Sequence, residues 1–588
     1  MLGREREQKS FFDASLAVED LLEPGSFYEV LYRHGSRLLS DDDFLECYDV
    51  TTGRPSVPPS RMFRLLLLQI YEGLSDRQAL ERMAFDLRWK AVLGLEVQDR
   101  AVGQATLVEF RARLQLHRKM EEAFERFLAQ AVEVGLISPE EVQVLDSSPI
   151  WGRGAVEDTY NLMGSAVRKL LGVTARGRGK RPEELAGDLG LVLTLPAGEG
   201  SLKGRAGIDW SSPEERRAFL NEVVQEARLV LQAATSDATR SDEVAEAAEV
   251  LRRILVQDLE PVQGTAESEA DSGSDDDSAQ EVLSLEREVQ IRRGVARDRI
   301  VSAGDPEMRH GHKSRNRTWD GYKAHISVTG KSEFVTAVHV TPANVHDGEA
   351  APELIEAQQR VGLSPSAVVG DMAYSTADLR VQAQAANTEL VARVPPASAP
   401  AGCFSKDLFR IDLEAPSVTC PAGHTTRWFH KRASGGGTFY FDGSVCACCQ
   451  FREACTRRAP ETMLRTGKGR QITLHPLEAV LQQARKAEST ERVQSLLRMR
   501  PVVERRLAHL MGRGLRQAHY HGCAKTQFQA LTTALVTNLV RFGNLFKPRE
   551  PDSTGRNPVD TVTGLFRRAL RWLWDDTIHL PIAQAVIP

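Results

Sequence analysis

The chain has 588 residues, 41% of them hydrophobic and 26% charged, with a formal net charge of −5. These proportions exclude a disordered or fibrous chain, and the length calls for roughly three or four structural units. The start MLGREREQKS is too polar for a secretory leader, and no apolar run approaches the ~20 residues that span a bilayer, so a cytoplasmic protein is expected.

In chain order, helical pieces are expected near 11–22 and 25–39. Pro58-Pro59 then introduces a strongly apolar helix, 61–72. Gly73-Leu74 turns the chain, and Ser75 with Gln78 has capping-box spacing for a second helix, 76–91. Two helices across a short Gly-containing turn fit a helix-turn-helix, although any helical bundle contains such corners. Thr106 and Glu109 offer a further capping box before a helix over 110–134, whose Arg111, Arg113, Arg118 and Lys119 make a basic face.

The stretch 141–150, EVQVLDSSPI, reads as a buried strand ending on Asp146. Such a carboxylate either caps the next turn or is a rigidly held catalytic or metal-binding group. Residues 160–258 read as mostly helical, and 264–280 (GTAESEADSGSDDDSAQ) as an acidic linker without a core. Strand patterns return at 321–328 and 334–341. A helix at 349–360 leads to a strand, 367–370, that ends on Asp371, then to a helix after Ser375 and a strand at 389–394. This order predicts a mixed sheet with flanking helices, an α/β fold.

Residues 395–475 are rich in Pro and Gly and hold most of the eight cysteines. Helices resume over 476–499, and Pro501 is suited to open a helix, 501–511, that carries Glu504 in its first turn. Another helix follows over 526–541, and 565–574 (LFRRALRWLW) reads as a short amphipathic helix.

Charge is distributed unevenly. The window 258–288 holds eleven acids against one arginine, so the rest of the chain carries +5. The stretches 292–323 and 485–516 each hold nine Lys and Arg, against four and three acids. Beside an acid-bearing site they suit a polyanionic substrate; alone, each could be a solvated face.

Asp146, Asp371 and Glu504 could converge on one side of the sheet. Acids forced together resist joint ionisation unless a cation neutralises them, and an oxygen-only ligand set suits two Mg²⁺ (or Mn²⁺) ions, the arrangement that serves phosphodiester chemistry. Asp158, Asp305, Asp320 and Asp347 read as turn or supporting residues. Cys420, Cys446, Cys449 and Cys455 have spacing compatible with a structural Zn²⁺ site. Cys448 and His424 compete as ligands, and a set of reduced cytosolic thiols is the alternative.

The runs LDSSPIWGRGAVEDTYNLM, DPEMRHGHKSRNRTWDGYKAHISV, VVGDMAYS and RPVVERRLAHLMGRG resemble the signatures of bacterial insertion-sequence transposases of the DDE type. The resemblance covers most of residues 55–545. It implies an RNase H-like catalytic domain behind a helical N-terminal domain, with Asp146, Asp371 and Glu504 as catalytic residues and Mg²⁺ ligands. Arg500 matches an arginine that some relatives keep four residues before the glutamate; Leu497 and Met511 stand where those relatives have a tyrosine and a lysine. Arg309, Lys313, Arg315, Arg317, Arg500 and Arg505 are the candidate DNA contacts.

The implied partner is double-stranded DNA, the element's terminal inverted repeats and the target, bound by a homodimer on paired ends, which implies a nucleoid-associated location in the cytoplasm. The implied activity is cleavage at those repeats and transfer of the 3′-OH ends into target DNA. Alternatives are a nuclease of the same fold that does not join, or a domesticated DNA-binding regulator. The expected organisation is a helical DNA-binding domain (1–135), the first catalytic strand (141–159) and a helical insertion (160–300) containing the acidic linker (258–288). The RNase H-like core (301–394), a Cys-rich insertion (395–475), the catalytic C-terminal helices (476–545) and a tail (546–588) follow.

Overall fold

The computed structural model describes residues 1–547 except 7, 50, 195–200, 236–240, 263–281, 285–286, 398 and 401. The acidic linker expected over 264–280 and the amphipathic helix expected over 565–574 lie outside the described residues.

The N-terminal helices are α1 (Phe27–Leu38), α2 (Pro59–Glu72), α3 (Asp76–Phe85), α4 (Leu87–Leu93), α5 (Gln104–Leu116) and α6 (Lys119–Glu133). Proline opens α2, and Gly73 closes it at φ +67°, a left-handed turn that glycine tolerates without strain. The expected Ser75–Gln78 capping box opens α3. Three expected helices differ. Only Ser15–Val18 and a 3-10 turn, Glu19–Leu21, form within 11–22. The span 76–91 divides at Asp86, whose carboxylate takes the Arg88 N–H (2.9 Å) and so starts α4. The span 110–134 divides at Arg118 (φ +50°), and α5 begins at Gln104 rather than after a Thr106 cap. That reversal lets Leu107, Phe110 and Leu114 of α5 and Met120, Phe124 and Phe127 of α6 all enter the core.

The central sheet begins with β1 (Gln143–Trp151). Helices α7 (Thr159–Gly177), α8 (Pro213–Thr235) and α9 (Asp242–Asp258) then pack around their own apolar cluster, which includes Leu170, Val224 and Leu251. The sheet resumes with β2 (Arg309–Ser314), β3 (Arg317–Thr329) and β4 (Val335–Pro342), then α10 (Ala351–Arg360), β5 (Ala367–Val369), α11 (Ala377–Ala385) and β6 (Glu389–Val391). Strand β3 lies antiparallel to β1, β2 and β4, while β5 is parallel to both β1 and β6. This is the mixed α/β sheet expected from the strand order.

Residues 410–474 form two small three-stranded sheets: β7 (Arg410–Asp412), β8 (Ser417–Thr419) and β9 (Thr425–Thr426); and β10 (Phe429–Lys431), β11 (Gly437–Asp442) and β12 (Lys468–Leu474). Helices α12 (Glu478–Glu488), α13 (Glu491–Leu497), α14 (Pro501–Leu510) and α15 (Cys523–Phe546) complete the described chain.

One face of the sheet (Val144, Tyr322, Ile326, Val369) packs with Val503, Leu507 and Leu510 of α14 and with α15. The opposite face (Leu145, Ala337, Val368) packs on Leu354, Ile355 and Leu379 of α10 and α11. The first of these clusters continues without a break into the N-terminal helices, through contacts such as Phe127 with Phe334 and Phe542.

Helix α15 is buried on nearly all sides, as an internal helix with apolar residues around its circumference should be. It also closes the outer edge of β4. Asn538 accepts from the Val335 N–H and donates to the Val335 carbonyl (2.8 Å each), and Gln527 does the same for Val340 and Val338. An edge strand's free N–H and C=O groups are thus satisfied by side-chain amides. Replacing Asn538 leaves two buried backbone groups unpaired, so Asn538→Ala should cost about 2–4 kcal/mol. The expected outcome is a clearly lower thermal midpoint by scanning fluorimetry; an unchanged midpoint would show that the edge needs no such partner.

Candidate active site

Parallel pairing of β1 with β5 joins Val144 to Val369. Two residues further along come Asp146, still within β1, and Asp371, just past the end of β5. Alternation therefore sets both acids level, on the face covered by α14. The expected end of the first strand at Asp146 is corrected: β1 continues to Trp151 because β3 pairs with its whole length. Pro149 is tolerated because β1 N–H groups of its parity, such as that of Trp151, point away from β3, so no ladder bond is lost there.

Asp146 accepts a hydrogen bond from the Ser147 N–H (2.8 Å), and Asp371 takes the Ala373 N–H (2.8 Å) as the cap of a short turn. Gly370 is needed beside it, since a Cβ there would lie 2.8 Å from the Tyr374 side chain. Burial pushes the Asp146 carboxyl up to about 6. The Ser147 N–H opposes that rise, the Asp371 charge adds to it, and Arg500 and Lys313 oppose it.

Glu504 is exposed on α14, one turn beyond Arg500, and α14 lies across β1 and β3. The helix is held at both ends. Arg505 (2.8 Å) and Arg506 bind Glu333 in the β3–β4 turn. After the helix, Trp151 donates to the Arg516 carbonyl (2.9 Å) and Ala518 donates to that of Trp151 (2.8 Å). Arg500 Nε is buried and makes no hydrogen bond. The structure thus brings Asp146, Asp371 and Arg500 into one neighbourhood, with Glu504 on the same helix as Arg500. The donor set fits a hard divalent cation. Asp146 and Asp371 offer carboxylate oxygens only, and burial and the like-charged neighbour raise the Asp146 carboxyl, a penalty that a cation would relieve; the three acids do not all stand within 4.8 Å of one another.

On the opposite face, Ser147 donates to Asp347 (2.8 Å), and Lys323 binds the same carboxylate (2.8 Å) and the Val345 carbonyl (2.7 Å). Burial alone would raise Asp347, but the bonds from Lys323 and Ser147 hold its carboxyl below the usual range. Burial and the charges of Asp347, Asp146 and Asp371 push the Tyr374 phenol well up, so it stays neutral beneath the pair. Sequence reasoning did not single out Ser147, Lys323 or Tyr374. The available signal was parity: Ser147 directly follows Asp146 and must face the other side of the sheet.

The other candidate acids are engaged elsewhere. Asp158 caps α7, Asp305 accepts from the Tyr322 hydroxyl (2.5 Å), and Asp320 meets His310 (2.9 Å). Among the basic candidates, Lys313, Arg315 and Arg317 are exposed around the β2–β3 turn. Arg309 is instead buried, bonded to Asp298 (2.7 Å) and to the Pro306 and Met308 carbonyls, and so is less open to a phosphate than the other three. Its alternation on β2 turns it inward, whereas Lys313 lies beyond the buried part of that strand.

Cys420, Cys446, Cys449 and Cys455 line one small cavity together with His424, whereas Cys448 is exposed and donates to the Ser444 carbonyl (3.1 Å).

Residues 17–113 match the family described as Transposase domain (DUF772), and residues 419–542 match the family described as Transposase DDE domain. Both matches are to transposase families, and together they support an insertion-sequence DDE transposase. The chain is therefore a DNA transposase that binds DNA, from a class of enzymes that generally uses divalent metal ions. The second match includes Glu504, while Asp146 and Asp371 lie outside both. No curated protein and no solved structure matches this transposase. Among its described residues, no helix is long and apolar enough to cross a membrane.

The raised Asp146 carboxyl has a sign that can be tested. Because its pKa in the fold lies above the unfolded value of 3.8, its contribution to stability is complete below about pH 4 and is lost as pH rises through about 6. Asp146→Asn should therefore stabilise the metal-free protein by about 3 kcal/mol at pH 7.5 and by little at pH 4. Thermal melts at both pH values check this; equal effects at the two would remove the electrostatic account.

Proposed function

We propose that the transposase cuts DNA at the terminal inverted repeats of its element and joins the freed 3′-OH ends to target DNA, with Asp146, Asp371 and Glu504 as its catalytic carboxylates. The observation that carries this reading is the level placement of Asp146, on β1, and Asp371, just past the end of its parallel neighbour β5, beneath the helix that bears Glu504. The order β4–β3–β1–β5–β6, with three antiparallel strands followed by two parallel ones and helices on both faces, supports an RNase H-like fold.

In this reading Asp146, Asp371 and Glu504 hold two Mg²⁺ (or Mn²⁺) ions. Bound there, the ions would supply charge neutralisation at the scissile phosphate and a lowered barrier to deprotonating the attacking oxygen. In cleavage, a water oxygen bonds to phosphorus, the P–O3′ bond breaks, and the released 3′ oxygen takes up a proton. In joining, that 3′ hydroxyl oxygen loses its proton, bonds to a target phosphorus and displaces a target 3′ oxygen, which is protonated in turn. The protein's own part is positional. The Ser147 N–H orients the Asp146 carboxylate, and Arg500 and Lys313 set positive charge beside it for the phosphate. Arg505, held by Glu333, keeps α14 in place at the cost of part of its availability to DNA.

The same reading assigns 1–135 to DNA binding, 141–159, 301–394 and 476–545 to catalysis, and 160–300 and the Cys-rich 395–475 to insertions, with a homodimer pairing the two ends. The DNA-binding assignment of 1–135 is functional rather than a break in packing, since these helices share a core with the sheet.

Asp146→Asn, Asp371→Asn and Glu504→Gln should each reduce cleavage of labelled end DNA in Mg²⁺ by at least about a thousandfold. Binding of the same DNA should stay within a few-fold; strand transfer retained by all three variants would dismiss the assignment. Replacing Lys313, Arg315 and Arg317 with alanine should weaken binding of ends and of unrelated duplex alike. The slope of log K against log salt should fall by about one for each phosphate no longer neutralised. An unchanged slope would move the DNA path elsewhere.

A further inference from the structure

Within 402–475, three short segments bring four thiols together. Cys420 follows β8 in a turn closed by hydrogen bonds between Cys420 and His424 (2.9 Å) and between Gly423 and Cys420 (2.9 Å). Cys446 sits in the helix Gly443–Ala447, Cys449 in the turn just after it, and Cys455 ends the helix Arg452–Cys455. The four surround a cavity of about 20 Å³ whose other walls include Phe404, Phe441 and Phe451. That is room for one water-sized occupant, in a lining that offers water few polar partners.

We propose that these four cysteines bind a single structural Zn²⁺ ion, with Cys448 and His424 outside the ligand set. Four sulfur donors suit zinc, whose closed structural sites are tetrahedral and take thiolates. The Arg470 N–H already points at Cys446 Sγ (3.5 Å), the kind of backbone donor that supports a ligating sulfur. All eight cysteines are free, so no disulfide competes for these four. Cys448 turns its thiol back to its own helix, which removes it as a ligand. His424 meets the Cys420 turn through its backbone carbonyl.

A tighter group elsewhere, Glu46, Cys47 and His117, has its ligand atoms all within 4.8 Å. There, however, the Glu46 carboxylate is already neutralised by Lys119 (2.7 Å). The four thiols are set wider than that and must draw inward on binding, each giving its proton to solvent as the ion enters.

The need for such an ion follows from the size of the unit. Its buried core consists of Phe409, Val418, Phe439, Phe441, Ile472 and Leu474, with Cys420, Cys446 and Cys455 packed against it. Units this small usually depend on a metal or a disulfide. The unit lies between β6 and α12, and Lys406 and Arg485 meet at Glu478 on the first turn of α12. A closed zinc site would therefore firm the base from which α12, α13 and the Glu504 helix leave. The inference is independent of the roles given to the carboxylates.

Full-length protein purified from zinc-supplemented cells and dialysed into metal-free buffer should carry about one zinc ion per chain by mass spectrometry. Cys448→Ser and Cys47→Ser should keep it, and a Cys446→Ser/Cys449→Ser double variant should lose it. Refilling chelator-treated wild type with Co²⁺ should give the intense visible and thiolate charge-transfer bands of a tetrahedral all-sulfur site, a readout that survives even if the double variant misfolds. Wild-type protein without zinc, iron in its place, loss of zinc in Cys448→Ser or Cys47→Ser, or a pale octahedral cobalt spectrum would each overturn the proposal.

Discussion

Two carboxylates standing level, one on a strand and one just past the end of its parallel neighbour, repel one another, and much of this architecture keeps them there. Asp146 and Asp371 cannot drift apart without breaking the pairing of Val144 with Val369, which is buried on both faces. Asp146 bears the cost as a carboxyl that resists ionisation. The strain is electrostatic rather than conformational: both backbones are extended, and each acid accepts a neighbouring N–H. A site of this kind is stable as a scaffold and unsatisfied as a charge arrangement, the state expected of a centre built to receive cations.

The helix across that pair is tied more firmly than packing alone would require. Glu333, at a left-handed position in the β3–β4 turn, takes both Arg505 and Arg506, and the chain after the helix pairs with the end of β1. Burial would raise Glu333, but the two guanidiniums hold its carboxyl below the usual range, so the clamp stays charged at neutral pH. Beneath it, α15 closes the sheet edge with amide side chains and joins the N-terminal helices to the same core. Positioning of Glu504 and attachment of the N-terminal helices thus share one set of buried contacts.

The two long excursions from the sheet leave this arrangement untouched. One runs from the end of β1 to β2 and the other from β6 to α12, and each has an apolar cluster of its own. Both leave from connections rather than from within strands, where added chain costs little beyond loop closure. Their cores differ in size. The helical excursion buries three long amphipathic helices, whereas the apolar cluster of the cysteine-bearing one has six buried side chains, beside four thiols around a void.

The sequence by itself determined the elements whose signals are local: the Pro-led helices α2 and α14, the Ser75 capping box, the alternating strands and the runs around Asp146, Asp371 and Glu504. Local signals failed where a distant partner decided the outcome. Strand β1 runs on past Asp146 because β3 lies alongside it. The expected helix over 110–134 divides at Arg118 because two faces had to reach one core. Arg309, basic and suggestive in sequence, is drawn inward by Asp298. Only the tertiary structure decided that Asp146 and Asp371 stand level, that Ser147 and Asp347 work on the reverse face, and that Cys448 turns away from the other thiols. Register, burial and the direction of a side chain depend on contacts across hundreds of residues, and no local pattern encodes those contacts.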